Sequence, residues 1–133
     1  MPKKILIIDE EKWFFSPIFD RLKYDKLDYE YCETGIKGLT RFKNNIDNYS
    51  IIILDIKLTL GEQLIEVIRD YLYPGIYVLE ELRKIDKKIP IICYTVINNE
   101  ETREKIGRMN ANYIAKQGNS SDSLFKEINK LLK

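Results

Sequence analysis

Four short apolar runs punctuate the chain, and each stops on a reactive group. Ile51-Ile52-Ile53-Leu54 ends on Asp55, and Ile5-Leu6-Ile7-Ile8 ends on Asp9-Glu10-Glu11. Ile91-Ile92-Cys93-Tyr94 ends on Thr95, and Tyr113-Ile114-Ala115 ends on Lys116. Unbroken runs of this length, rich in β-branched residues, predict strands buried on both faces, as in the middle of a parallel sheet. Together with a shorter stretch at 28–32 they give five strands, over 4–9, 28–32, 50–55, 90–95 and 110–115.

Between the strands the apolar residues change to helical spacing. Phe15, Ile18, Phe19 and Leu22 predict a first helix, entered through Ser16-Pro17. Thr34-Gly35 opens a second, with Ile36, Leu39, Phe42 and Ile46 facing inward. Val78, Leu79, Leu82 and Ile85 mark a helix over 76–86, and Ile106 and Met109 a more polar one over 98–109. Ser120-Ser121-Asp122 caps a last helix whose stripe is Leu124, Phe125, Ile128, Leu131 and Leu132. In the stretch 57–74, Leu64, Ile65, Ile68, Tyr71 and Leu72 predict an extra short helix between strand 3 and the next helix, broken by Pro74-Gly75. The alternation implies an α/β fold: a doubly wound, five-stranded parallel sheet with right-handed crossovers and helices on both faces. With 133 residues and neither linker nor repeat, the expectation is a single domain, 1–133.

Composition then removes function classes. The 22 basic and 21 acidic residues leave a net charge of +1, which argues against nucleic-acid binding through a basic field. No helix-turn-helix pattern or basic helix is evident. No apolar run is long enough for a membrane span, and the start does not read as a signal peptide, so a cytoplasmic location is expected. Cys32 and Cys93 fall in predicted strands and read as buried, reduced thiols. Histidine is absent. That excludes Ser-His and Cys-His nucleophilic catalysis, His-ligated zinc and a phosphohistidine on this chain.

The chemistry left belongs to the groups at the strand ends: Asp9, Glu10, Asp55, Thr95 and Lys116. If the strands are parallel neighbours, these groups meet at the carboxyl edge of the sheet, where open α/β sheets bind ligands. Clustered carboxylates repel one another, and a hard divalent cation such as Mg²⁺ relieves the repulsion. Beside a metal, the Asp55 carboxylate can act as a nucleophile and form an acyl phosphate. Thr95 can donate a hydrogen bond to a phosphoryl oxygen, and Lys116 can supply a point charge. Each residue alone has a plainer reading: Asp55 as a capping acid, Thr95 as a partner for a backbone group, Tyr113 as strand packing.

Taken together and in order, these residues resemble the receiver domains of two-component response regulators, over nearly the whole chain. The resemblance rests on Asp9-Glu10 after strand 1, Asp55 after strand 3, Thr95 after strand 4, Lys116 after strand 5, and Tyr113 three residues before that lysine. It implies a flavodoxin-like sheet of order 2-1-3-4-5. It implies that Asp55 accepts a phosphoryl group from a histidine kinase or phosphotransfer protein. Asp9, Glu10, Asp55 and the backbone carbonyl of Lys57 would hold Mg²⁺, while Thr95 and Lys116 would hold phosphoryl oxygens. Thr95 and Tyr113 would act as a switch, reshaping the face built from the fourth helix, fifth strand and fifth helix toward an unidentified output protein or domain. The chain would then be a signalling module, not an enzyme.

Several positions depart from the family. Glu10 stands where a second Asp is common, Thr59 and Gln117 where prolines are usual, and Val96 where a small residue is usual. The segment from Asp55 to Gly75 is longer than in the family, and a lid, a partner surface or a homodimer contact is expected of it. A second reading is therefore a receiver-like interaction module that does not use phosphorylation. A third is a haloacid-dehalogenase-like phosphatase, but that chemistry needs a general acid two residues after the nucleophile, where this chain has Lys57.

Overall fold

The computed structural model describes residues 3–58, 73–118 and 120–133. Its five strands are β1 (Lys4–Ile8), β2 (Tyr29–Cys32), β3 (Tyr49–Leu54), β4 (Ile91–Thr95) and β5 (Asn112–Ala115). They form one parallel sheet of order β2-β1-β3-β4-β5. The helices are α1 (Ser16–Tyr24), α2 (Gly35–Asn44), α3 (Pro74–Ile85), α4 (Glu100–Arg108) and α5 (Ser120–Leu131). This is the fold class and strand order expected from the sequence. The expected extra helix, carried by Leu64, Ile65 and Ile68, lies outside the described residues, as does Thr59.

The apolar runs are continuous because both faces of the sheet are covered. Side chains alternate along each strand. Leu6, Ile8, Ile52, Leu54 and Cys93 point to one side, where they meet Phe42 of α2, Val78, Leu79 and Leu82 of α3, and Ile106 of α4. Ile5, Ile7, Ile51, Ile53, Ile92 and Tyr94 point to the other, against Ile18 and Leu22 of α1 and Leu124, Phe125 and Ile128 of α5. Each fully buried aliphatic side chain contributes about 1.5–3 kcal/mol, so these two layers dominate the stability of the fold. Cys32 and Cys93 are both buried free thiols, as expected.

Two expected core positions are not core. Ile46 is 38% exposed, because α2 ends at Asn44 and a short 3-10 turn, Ile46–Asn48, carries Ile46 off the helical stripe. Leu132 is 39% exposed, one residue past the end of α5. Helix entries are also refined. A 3-10 turn, Lys12–Phe15, precedes α1, and α4, expected over 98–109, begins at Glu100 with Asn99 as its cap, accepting from the Thr102 N–H.

The register brings the strand ends to one edge, with β4 and β5 running two residues past β3. Ile8 pairs with Leu54, Leu54 with Cys93, and Thr95 with Ala115. The ladder continues one residue beyond the strands. The Asp9 N–H donates to the Cys32 carbonyl at 3.0 Å, the Asp55 N–H to Ile8 at 3.0 Å, and the Lys116 N–H to Thr95 at 2.8 Å. These bonds fix the backbone of Asp9, Asp55 and Lys116 at one edge of the sheet.

Candidate functional site

Lys116 is the centre of that edge. Its ammonium lies 2.7 Å from Asp9 Oδ2, 3.3 Å from Glu11 Oε1 and 3.5 Å from Asp55 Oδ2. Its side chain is 1% exposed, and so is that of Asp9; that of Asp55 is 2% exposed. Phe14, Phe15 and Tyr94 wall the ammonium, with ring centroids 4.8, 5.6 and 6.0 Å from Nζ. Water is thus largely excluded, and aromatic faces supply part of the stabilisation that water would give a cation.

The carboxylates are held by their own backbone. Asp9 Oδ1 accepts from the Glu11 N–H at 2.8 Å, and Asp55 Oδ1 accepts from the Lys57 N–H at 3.1 Å. The Tyr31 hydroxyl donates to the Asp9 carbonyl. These bonds leave Oδ2 of each aspartate facing Lys116. Single oxygens of Asp9, Glu11 and Asp55 all lie within 4.8 Å of one another.

The charges do not balance, since three carboxylates face one ammonium. Asp9 shows the consequence: its pKa is raised from 3.8 to about 6. Burial is the largest cause and the Asp55 charge the second, and the bonds from Lys116 and the Glu11 N–H offset only part of them. Lys116 moves up as well. Burial pulls its pKa down, but Asp55, Asp9 and Glu11 together outweigh burial. Burial leads for Asp9 and the neighbouring carboxylates decide for Lys116; both follow from packing charges into a site with little water.

Asp9, Asp55 and Lys116 therefore come together as expected, and Lys57 lies in the turn beside Asp55. Glu10 does not join them. Its side chain is exposed, and Glu11 supplies the third carboxylate of the cluster. The cause is local. The Asp9 side chain accepts the N–H two residues on, an Asx-type turn that ends the strand alternation and swings Glu11 back toward the site. An Asp at a strand end followed by two more acids carries this signal in the sequence.

Thr95 and Tyr113 meet through a shared residue. Thr95 Oγ1 accepts from the Ile97 N–H at 3.2 Å, and the Tyr113 hydroxyl donates to the Ile97 carbonyl at 2.8 Å. Thr95 is fully buried and Tyr113 half-buried. Val96, between Thr95 and Ile97, is 50% exposed. The Lys116–Gln117 peptide is trans. Gly75, at the start of α3, sits on the backbone just after the sheet edge and donates its N–H to the Ile56 carbonyl at 2.8 Å. A Cβ there would lie 2.2 Å from Ile56 Cα and 2.5 Å from the Asp55 carbonyl oxygen. Only glycine lets the helix dock this close to the Asp55 turn.

No protein-family model and no curated protein matches the chain. Solved structures do. A CheY-like response regulator receiver domain protein from Methanospirillum hungatei JF-1 superposes with a TM-score of 0.77 at 25% identity, over 98% of this chain and 94% of that one. The response regulator TrrA of Thermotoga maritima, in complex with Mg²⁺ and beryllofluoride, gives 0.74 at 25% identity, over 97% and 98%. CheY of Borrelia burgdorferi, from a complex of CheX, CheY, BeF₃ and Mg²⁺, gives 0.78 at 18% identity, over 100% and 92%. The fold of this chain is that of the response-regulator receiver domain, over nearly its whole length. Among the described residues, no helix is long and apolar enough to cross a membrane.

Proposed function

We propose that this protein is a phosphoryl-accepting receiver, with Asp55 as the acceptor. The observation that carries this reading is the Asp55 carboxylate at the end of the central strand, 2% exposed, 3.5 Å from Lys116 and clustered with Asp9 and Glu11. A carboxylate held this way by one oxygen keeps the other directed at an ammonium and an acidic cluster, an arrangement suited to transferring a phosphoryl group, not to pairing at a surface.

The residues fit a hard divalent cation. Three carboxylate oxygens lie within 4.8 Å of one another, and only one ammonium, that of Lys116, faces them; burial first, and the Asp55 charge second, raise the Asp9 pKa. Asp9, Glu11 and Asp55 would hold Mg²⁺, with the Lys57 carbonyl as a further oxygen from the adjoining turn. When bound, the ion supplies charge neutralisation for an approaching phosphoryl group. The chain's own residues do the rest. An Asp55 carboxylate oxygen attacks phosphorus, an O–P bond forms, and the donor's P–N bond breaks. The released imidazole takes its proton from solvent or from the donor protein. Lys116 exchanges a carboxylate for a phosphoryl oxygen, and the Thr95 hydroxyl turns from accepting the Ile97 N–H to donating to a phosphoryl oxygen. That turn releases Ile97, whose carbonyl holds Tyr113, and so carries the event to β5.

On this reading the physiological donor is a histidine kinase or phosphotransfer protein, since the chain has no histidine to carry the phosphoryl group itself. The output partner would read the face that carries Tyr113, and the chain itself turns over no substrate. The test is intact-mass spectrometry after incubation with a small-molecule phosphodonor, with and without Mg²⁺, on the native chain and on Asp55→Asn. A Mg²⁺-dependent gain of one phosphoryl group, lost in Asp55→Asn, is expected. No gain by a folded native chain would refute the reading and favour a phosphorylation-independent interaction module.

A further inference from the structure

Lys116 has to hold its place among three carboxylates, yet the chain that follows it is poorly packed. Gln117 and Gly118 are exposed, Gly118 has φ +54°, and nothing lies within 4 Å of where a Gly118 Cβ would be. Local bonds close the turn: the Gln117 N–H donates to Ala115 at 3.1 Å, and the Ser120 N–H to Gln117 at 3.0 Å. With the Lys116 N–H bond to Thr95, the first of these holds the start of the turn to the sheet edge; its far end needs a hold of its own. Among the described residues, that hold is Ser120, which is buried and whose Oγ lies 2.6 Å from the Tyr94 hydroxyl.

Tyr94 is fully buried in β4, one residue before Thr95. Its ring packs edge-on against Phe15 at 6.1 Å and near Phe14 at 6.0 Å, and lies 6.0 Å from the Lys116 ammonium. A phenylalanine would fill the same space in this apolar layer. What tyrosine adds is a hydroxyl that reaches the first residue of α5. One side chain thus forms part of the wall beside the ammonium and also holds the far end of the turn that carries it.

We propose that the Tyr94–Ser120 hydroxyl pair is a positioning device for Lys116. The pair touches neither the acceptor nor the phosphoryl group. It sets where β5 hands over to α5, and so sets the Lys116 ammonium against Asp9 and Asp55. Its consequence for phosphoryl transfer rests on the proposed function, while the geometry does not. Removing one hydroxyl leaves the other buried without its partner, so the turn relaxes toward solvent. Small displacements of a group that stabilises transferred charge have large kinetic effects.

The experiment compares the native chain with Tyr94→Phe, Ser120→Ala, the double variant and Ser120→Thr. Three quantities are read: the rate of phosphoryl gain from a small-molecule phosphodonor with Mg²⁺, the solvent exchange of the Lys116 Nζ protons by proton–nitrogen NMR, and Tm. Each single variant should slow phosphoryl gain about 10-fold or more and expose the Nζ protons to faster exchange. The double variant should be no slower than the slower single one, because both remove the same bond. Ser120→Thr, which keeps a hydroxyl, should recover what Ser120→Ala loses. A lower Tm with unchanged rate and unchanged Lys116 exchange would reduce the pair to fold stabilisation and overturn the inference. A native chain that takes no phosphoryl group would overturn the proposed function instead, and the Nζ exchange would still decide whether the pair positions Lys116.

Discussion

Replacing Lys116 by Met keeps most of the side chain's apolar stem and removes its charge. The lost ammonium meets Asp9 at 2.7 Å, Glu11 at 3.3 Å and Asp55 at 3.5 Å, and two of these carboxylates are 1% and 2% exposed. Water cannot take its place, and removing one partner of a buried ion pair costs about 3–5 kcal/mol. The loss depends on pH, because protonating Asp9 relieves it. In the native protein Asp9 already titrates at about 6 instead of 3.8. The folded chain therefore binds this proton more tightly than the unfolded chain. The Asp9 contribution falls as pH rises from about 4 to about 6 and is constant above, a difference of about 3 kcal/mol. Without Lys116 the carboxyl rises further, so the variant is largely protonated there at pH 5. The expected loss is about 3–5 kcal/mol at pH 8 and roughly half of that at pH 5, measured by urea denaturation without divalent cations. At pH 8, Mg²⁺ at about a hundred times its Kd should restore roughly 2.7 kcal/mol. Equal losses at the two pH values, or a loss at pH 8 below about 1 kcal/mol, would refute the reading of a charge-excess site.

Three further outcomes follow from the geometry. Arg83 donates to the carbonyls of Met109 (2.8 Å), Asp86 (3.1 Å), Ile89 (2.8 Å) and Asn110 (2.9 Å), tying the ends of α3 and α4 to the approach to β4. Arg83→Met should cost about 3 kcal/mol or more in urea denaturation, and Arg83→Lys should recover less than half, since an ammonium cannot span the fork. Gly75→Ala should lose about 1–3 kcal/mol and slow phosphoryl gain at Asp55, because its Cβ meets backbone that cannot step aside; unchanged Tm and rate would refute the docking argument. The Glu30 carboxyl titrates at about 2 instead of 4.5; burial raises it, but bonds from Tyr49, Arg41 and Lys4 outweigh burial. Its stabilisation is present above about pH 4.5 and lost as pH falls through about 2. With Arg41 and Lys4 near half exposed, Glu30→Gln should cost only about 1–2 kcal/mol at pH 7, and the difference from the native chain should vanish near pH 2.

The fold was legible because burial on both sheet faces leaves an unmistakable mark. A strand such as Ile51–Leu54 has no polar position to spare, and a parallel sheet covered on both faces asks for that, the alternation with helical stretches pointing the same way. What was less legible sits where periodicity stops. Ile46 and Leu132 fit a helical stripe by spacing, yet each lies just beyond its helix, where the rotation per residue changes and the stripe no longer points inward. Spacing carries no information about the residue at which a helix ends; that is set by bonds such as the Asn45 N–H to the Phe42 carbonyl, at 3.1 Å.

The same limit explains the site. Asp9, Asp55 and Lys116 each stand one residue beyond a strand end, so strand order and register bring them to one edge. Glu10 was expected from the acid pair that the family carries after strand 1; here the Asp9–Glu11 turn brings Glu11 to the cluster. The exchange matters for the chemistry. Glu11 reaches Lys116 as well as Asp9 and Asp55, so the lysine is drawn among three carboxylates instead of resting on one. A phosphoryl group adds negative charge to a site that already has an excess, which Lys116 alone cannot offset. On the proposed reading, further positive charge has to enter with the phosphoryl group, and Glu11 would add to the demand for a cation that the aspartates begin.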